Sequence, residues 1–250
     1  MDDCFKGFLD DSFDPTFNSI NLPWLPWVGS RYYESDTKTI ILGESVYVYG
    51  AGDETTRQRI LHRESLRQRQ MTHGILGKIK SRYLRNFERA VFLKTRPSGL
   101  ERAHLWSHVI FHNLVLELLP SRKNRPTMRD YTAGWEAFLE LAEVVQPQRC
   151  IVYGLESPKI EALQELLASR KMAIQKKRLP AVGRSRPVKL SIQINGRPLD
   201  LLFIRHPSAF FPWKKWGAFI REAGFNPLAV ETHKIVERAT TEPLPEPFTG

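Results

Sequence analysis

Three side chains stand at the ends of short apolar runs in this chain. They are a carboxylate, Glu44, after Thr39-Ile40-Ile41-Leu42-Gly43; a primary amide, Asn113, after His108-Val109-Ile110-Phe111-His112; and an imidazole, His206, after Leu199-Asp200-Leu201-Leu202-Phe203-Ile204-Arg205. A carboxylate stabilises positive charge or orients and deprotonates water, and an imidazole hydrogen-bonds a leaving group. An amide offers two donors and one acceptor for reading a polar edge. To act together the three must lie within one ligand's span. The elements that must position them are the apolar runs, each of which reads as a buried strand. If these strands share one sheet, the three side chains meet at its carboxyl edge, in the crevice where open α/β sheets bind ligands. Each also has a structural reading: Glu44 as a capping or salt-bridged carboxylate, His206 as a satisfied core histidine, Asn113 as a tie between loops.

The chain's 250 residues, 42% of them apolar, suffice for one substantial core. The expectation is a single α/β domain over residues 22–239, after an arm at 1–21 and before a proline-rich, extended tail at 240–250. The fold class expected is a three-layer sandwich, a central, mostly parallel sheet flanked by helices. No apolar run is long enough for a membrane span. The acidic start Met1-Asp2-Asp3-Cys4-Phe5 argues against a signal peptide. Two cysteines, Cys4 and Cys150, lie far apart and suggest neither a disulfide framework nor a thiolate metal site, so a reducing, cytoplasmic location is expected. His104, His108 and His112 would share a face of one continuous helix, but the apolar run Val109-Ile110-Phe111 breaks that helix. No metal and no cofactor are expected.

The net charge is +10, and its distribution says more than its size. From Glu54 to Arg96 there are twelve Lys/Arg against three Glu, and from Arg170 to Lys189 eight Lys/Arg against no acid. Two basic blocks flanking an α/β core point to a polyanion, because each neutralised phosphate releases counterions; the alternative is a solvated basic surface. In chain order, Leu22-Pro23-Trp24-Leu25-Pro26-Trp27 reads as an anchored extended segment, Glu54 to Met71 as a polar helix, and Gly74 to Phe92 as a helix with an apolar stripe. Helices are also predicted from Glu101 to Ser107, Asp130 to Val145, Ser157 (as N-cap) to about Lys171, and Pro212 to near Gly224. Further strands are predicted at Arg149 to Gly154 and Val188 to Ile194, the latter turning back through Asn195-Gly196 onto the Leu199 strand.

The turn Gly43-Glu44-Ser45-Val46-Tyr47, the middle strand ending in Asn113 and the late His206-Pro207-Ser208 followed by Phe210-Phe211 occur in the order found in the uracil-DNA glycosylase superfamily, which the chain resembles from roughly Leu22 to Phe225. The first turn is a hybrid. Glu44 matches the Gly-Glu turn of the iron-sulfur members, whose four cluster cysteines are missing here. Tyr47 stands where the common uracil enzymes place the tyrosine that excludes a 5-methyl group, Ser45 where they place a water-orienting aspartate, and Val46 where both have proline.

The resemblance implies a monofunctional DNA glycosylase that flips a damaged or modified pyrimidine out of DNA and leaves an abasic site. The catalytic residues would be Glu44, for the sugar cation and the water, and His206, for the departing base. Asn113 would read the base, while Tyr47 and Tyr49 would either stack on it or pack on the sheet. DNA contacts would come from Ser45, Ser208, Lys214, Arg184 and Arg186, with Phe210 and Phe211 either wedging into DNA or packing under the last helix. No lysine falls in the three motifs, so no Schiff-base step is expected. The partner implied is DNA, and a monomer is expected. Uracil is the default base, and the hybrid turn leaves room for a bulkier one, such as the glucosylated hydroxymethylcytosine of phage DNA, which would make the protein an antiphage factor. The rival from another class is a DNA-binding protein that has lost the chemistry, since Ser45 replaces the aspartate.

Overall fold

The three apolar runs become strands of one sheet in the computed structural model, which describes residues 7–20, 22–48, 54–121 and 123–228. The strands are β1 Trp27–Val28, β2 Thr39–Gly43, β3 Val46–Tyr47, β4 Val109–Asn113, β5 Leu118–Leu119, β6 Arg149–Tyr153, β7 Ile174–Arg178, β8 Val188–Ile194 and β9 Arg197–Ile204. Seven of them form a sheet in the order β1-β4-β2-β6-β9-β8-β7, while β3 pairs with β5. The helices are α1 Asp14–Phe17, α2 Glu54–Leu61, α3 Ser65–Arg69, α4 Arg82–Phe92, α5 Gly99–Ser107, α6 Met128–Val145, α7 Ser157–Ser169 and α8 Trp213–Glu222.

The sheet is mixed, which corrects the expectation of a mostly parallel one. β4, β2, β6 and β9 run parallel, whereas β1, β8 and β7 are antiparallel to their neighbours. The Asn195-Gly196 turn explains β8: both residues take positive φ, 49° and 74°, as a tight hairpin requires. β7 was not predicted, because Gln175, Lys176, Lys177 and Arg178 are exposed and carry no apolar alternation. It forms by backbone pairing with β8, and its lysines suit a sheet edge that must resist further pairing.

Alternate strand residues face opposite layers, which accounts for the apolar runs. Ile40, Leu42, Val152, Leu201 and Phe203 pack with Trp135, Phe138 and Leu163 of α6 and α7. Ile41, Val109, Phe111, Ile151, Leu202 and Ile204 pack with Phe87, Trp106 and Trp216 of α4, α5 and α8. No helix among the described residues is long and apolar enough to cross a membrane. Of the expected arm, residues 7–20 carry α1, bury Phe17 completely, and place Asp14 2.5 Å from the guanidinium of the wholly buried Arg67.

The basic stretch after residue 54 departs most from its sequence pattern. Two long helices were expected; instead α2, α3 and a π-helical turn, Gln70–Ile75, follow one another, and α4 begins only at Arg82. Gly77, at φ 61°, and the extended Ser81 separate the π turn from α4. Such π turns occur mostly where function distorts a helix.

α8 crosses α4 through Gly217, where an added Cβ would overlap the Ala90 carbonyl oxygen and the Leu93 side chain. Alanine gains about 1 kcal/mol over glycine in a helix. A fixed backbone carbonyl cannot turn aside, so an overpacking cost of about 1–3 kcal/mol should prevail. Gly217→Ala is therefore expected to lower the urea midpoint, and a raised midpoint would show that the two helices can slide apart.

Candidate active site

Strand register brings the chemical residues to one edge. Gly43 pairs with Asn113 across β2 and β4, and Tyr153 pairs with Ile204 across β6 and β9. Glu44, Asn113, Tyr153 and His206 thus surround one crevice at the carboxyl ends of four parallel strands, and all four line a cavity of about 620 Å³. Gly43 has a steric role here, since a Cβ would overlap the Asn113 side-chain oxygen.

Glu44 is buried, 5% exposed, and enclosed by cations. Its Oε1 accepts hydrogen bonds from Lys159 Nζ at 3.0 Å, the Tyr131 hydroxyl at 3.1 Å and Arg125 Nη2 at 3.2 Å. Among the described residues its Oε2 accepts only from Arg125 Nη2, at 3.1 Å. Burial alone would push the Glu44 carboxyl up, but the charge and hydrogen bond of Lys159 and the charge of Arg125 outweigh it and hold the carboxyl below its ordinary value. Lys159, wholly buried, also donates to the Tyr153 carbonyl at 2.6 Å and to Glu156 Oε2 at 3.0 Å. Arg125 is 53% exposed and also reaches Glu156 at 3.3 Å. Glu44 is therefore both a cavity-lining carboxylate and a salt-bridged one.

His206 is a neutral donor. Burial pushes its imidazole down to about 4, against the opposing charge of Glu44. Nδ1 accepts from the Ser208 backbone N–H at 3.1 Å, and a backbone N–H can only donate. The ring proton must then sit on Nε2, which has no hydrogen-bond partner among the described residues. Tyr83 and Tyr153 flank the ring edge-on, and Asn86 donates to the Pro207 carbonyl at 2.8 Å, tying this loop to α4. The Asn113 amide likewise makes no side-chain hydrogen bond to a described residue. The Ser45 hydroxyl is buried in the cavity wall without a partner among the described residues.

The other expected residues divide. Tyr47 lines the cavity and its hydroxyl accepts from Arg125 Nη1 at 3.4 Å. Tyr49 lies outside the described residues. Ser208 lines the cavity, but its hydroxyl lies 2.8 Å from His206 Nδ1, so it orients the imidazole instead of standing free for phosphate. Phe210 is 76% exposed beside cavity-lining Ala209. Phe211 is a correction: it is buried and stacks on Trp216 with ring centres 5.4 Å apart, so it is core. Lys214 is exposed in the first turn of α8. Arg184 and Arg186 are exposed on the β7–β8 connection, which the pairing of Arg178 with Val188 and of Val188 with Phe203 sets at the same sheet edge, though neither lines the cavity. His112 has both ring nitrogens on backbone carbonyls, of Asn113 and Trp24.

Sequence reasoning missed Lys159, Arg125, Glu156 and the role of the Tyr131 hydroxyl. One signal was available: α7 begins at Ser157, with Glu156 as N-cap, so Lys159 is a cation in the first turn, where the helix dipole disfavours it. A residue at odds with its local context often marks a site. Gly154, at φ 101°, makes room for the ion pair, since a Cβ there would overlap Glu156 Oε2 and Lys159 Nζ.

Behind the cavity, Glu88 is buried and accepts from Trp106 Nε1 at 2.9 Å. Burial pushes its carboxyl up to about 7, with the Trp106 hydrogen bond and the charge of Arg102 opposing. A folded value above the unfolded one gives stability that is fully present below the ordinary carboxyl range and lost as pH rises through about 7. His73, His112 and His206, all held below the ordinary imidazole value, add stability over part of the same range, so the loss is read against the variant and not from wild type alone. Relative to Glu88→Gln, wild type should lose stability as pH rises from the ordinary carboxyl range through about 7 in urea titrations; parallel curves would mean that Glu88 is ionised throughout.

No protein-family model matches the chain, and sequence comparison finds no curated protein similar to it.

Proposed function

We propose that the protein is a monofunctional DNA glycosylase of the uracil-DNA glycosylase superfamily, built on that family's three-layer fold and acting on DNA as a monomer. It would flip out a damaged or modified pyrimidine, hydrolyse the bond to the sugar, and leave an abasic site. The observation that carries this reading is one cavity holding an ionised Glu44, a neutral His206 and an Asn113 amide, the His206 Nε2–H and the amide having no hydrogen-bond partner among the described residues.

Each group suits one part of the reaction. As the bond between the base nitrogen and C1′ breaks, its electron pair leaves with the base, and positive charge builds on the sugar. The His206 Nε2–H would donate to the base oxygen that gains charge, while the Asn113 amide reads the base's edge. Glu44 would stabilise the sugar cation and accept a proton from the water that adds to C1′. Fixed groups aimed at developing charge usually supply the largest catalytic term. Oε1 is held by buried Lys159 and Tyr131, so Oε2 is the oxygen open to this work, and the half-exposed Arg125 is what substrate would displace.

The test is an abasic-site assay, alkaline cleavage of a labelled strand, on duplexes carrying uracil or glucosylated hydroxymethylcytosine. Strand cleavage on either supports the reading. A cavity of about 620 Å³ falls within the range of about 300–1,000 Å³ that takes ligands larger than a bare ring, which favours the bulkier base. Activity on uracil alone would remove that preference and the antiphage role with it. The second reading, a DNA-binding protein without chemistry, is favoured by the double neutralisation of Glu44 by Lys159 and Arg125. Tight binding with no cleavage on any substrate would select it.

A further inference from the structure

The cavity's charges do not balance. Its two carboxylates, Glu44 and Glu156, are each paired with both Lys159 and Arg125. Arg69, Lys80 and Arg82 also line it, and no carboxylate among the described residues pairs with any of the three. Four cations thus line the cavity with two acids, the buried Lys159 adds a fifth charge outside the lining, and the excess gathers on the wall built from the end of α3, the π turn and the start of α4. A neutral pyrimidine has no use for that excess.

Local structure concentrates the wall further. The π turn places His73 beside Arg69, and burial together with that neighbouring charge pushes the His73 imidazole below its ordinary value. α4 opens at Ser81 in extended conformation, and the Ser81 side chain makes no capping bond, leaving first-turn N–H groups uncapped next to the cavity. Three buried polar groups of the cavity lining lack a partner among the described residues: the Ser45 hydroxyl, the His73 Nδ1 and the hydroxyl of the wholly buried Tyr153. Orphaned buried polar groups are rare and call for a ligand or water.

We propose that this wall, Arg69, His73, Lys80, Ser81 and Arg82, is a phosphate subsite that holds the phosphate of the nucleotide whose base enters the crevice. The proposal rests on the glycosylase reading for the phosphate's source, a phosphodiester of DNA; a free nucleotide monophosphate would present the same chemistry. It also divides the two basic blocks: the first serves the reacting nucleotide, whereas Lys176, Lys177 and Arg178 lie on the edge strand β7, outside the cavity.

The experiment compares wild type, Lys80→Gln/Arg82→Gln, the triple variant with Arg69→Gln, and Lys176→Gln/Lys177→Gln/Arg178→Gln. The double variant changes only exposed side chains, so it keeps the test open if the triple variant fails to fold. Binding is measured by fluorescence anisotropy on a duplex bearing a tetrahydrofuran abasic analogue from about 50 to 200 mM salt, and by calorimetry with uridine 5′-monophosphate. The slope of log affinity against log salt should shrink by about 0.9 in the cavity variants, since one phosphate is no longer neutralised. The edge-strand variant should leave the affinity for the abasic analogue within about twofold at the lower salt, since it touches no phosphate of the reacting nucleotide. Uridine monophosphate binding that is abolished in the cavity variants, with DNA binding unmoved, supports the subsite and names the free nucleotide as its source. Cavity variants that match wild type on both ligands overturn the proposal. If wild type binds neither DNA nor the monophosphate, the subsite falls too. If wild type binds DNA with the expected slope change but cleaves nothing, the subsite stands and the glycosylase reading fails.

Discussion

Glu44→Gln is expected to lower abasic-site formation by about 10²–10³-fold, the usual cost of removing one electrostatic group aimed at developing charge. The substitution keeps size and shape and removes only the charge. It should leave the fold intact, because Lys159 retains Glu156 Oε2 at 3.0 Å and the Tyr153 carbonyl at 2.6 Å, so no buried cation is orphaned. Binding to the abasic analogue should stay within a few-fold of wild type, since the phosphate-facing cations are untouched. The rate of single turnover under saturating enzyme is the measurement that separates chemistry from binding. The wild-type rate should hold as pH falls from neutral towards about 4, where His206 acquires a proton and the Ser208 N–H loses its acceptor. An unchanged single-turnover rate in Glu44→Gln would make Glu44 a structural partner of Lys159 and nothing more.

How far the site was legible depends on which forces fix each part. Glu44, Asn113 and His206 were readable because a short apolar run buried on both faces leaves only its end free for chemistry, and strand register then aligns the ends. The Asn195-Gly196 hairpin was readable because two positive-φ residues between apolar strands admit few alternatives. β7 was not, since exposed Lys176 and Lys177 carry no apolar pattern, and pairing with β8 alone holds the strand. Helix breaks after residue 54 were hidden by a composition that is helical throughout, and only Gly74 and Gly77 hinted at them. Phe210 and Phe211 are identical in type and adjacent, yet one is exposed and the other is core; that distinction follows from where Trp216 lies, not from local sequence. Lys159 lay 115 positions from its partner Glu44, beyond any motif, and only its awkward place in a helix's first turn marked it.

Lys159→Met should be the most destabilising single change in the site, by about 3–5 kcal/mol, because it removes one half of a buried ion pair and leaves the other. Methionine fills much of the lysine stem's volume, so cavity formation is a minor part of the loss. What remains is a Glu44 carboxylate, 5% exposed, whose hydrogen bonds among the described residues come only from Tyr131 and the half-exposed Arg125. In wild type the folded carboxyl lies below its unfolded value, so it contributes stability above the ordinary carboxyl range that is lost as pH falls through the folded value. Without Lys159 burial prevails, the folded carboxyl rises, and the sign reverses: the variant should gain relative stability as pH falls and Glu44 takes up a proton. The acid limb of the rate profile should move towards neutrality with it. The double variant Lys159→Met/Glu44→Gln decides the cause, because it removes both charges and should recover most of the stability lost in Lys159→Met, although Glu156 still loses a partner. Urea unfolding of the four proteins near pH 7 completes the cycle. A double variant as unstable as Lys159→Met would trace the loss to the hydrogen bond with the Tyr153 carbonyl, which holds the start of α7 against the end of β6, and Glu44 would then owe its ionised state to Arg125 and Tyr131 alone.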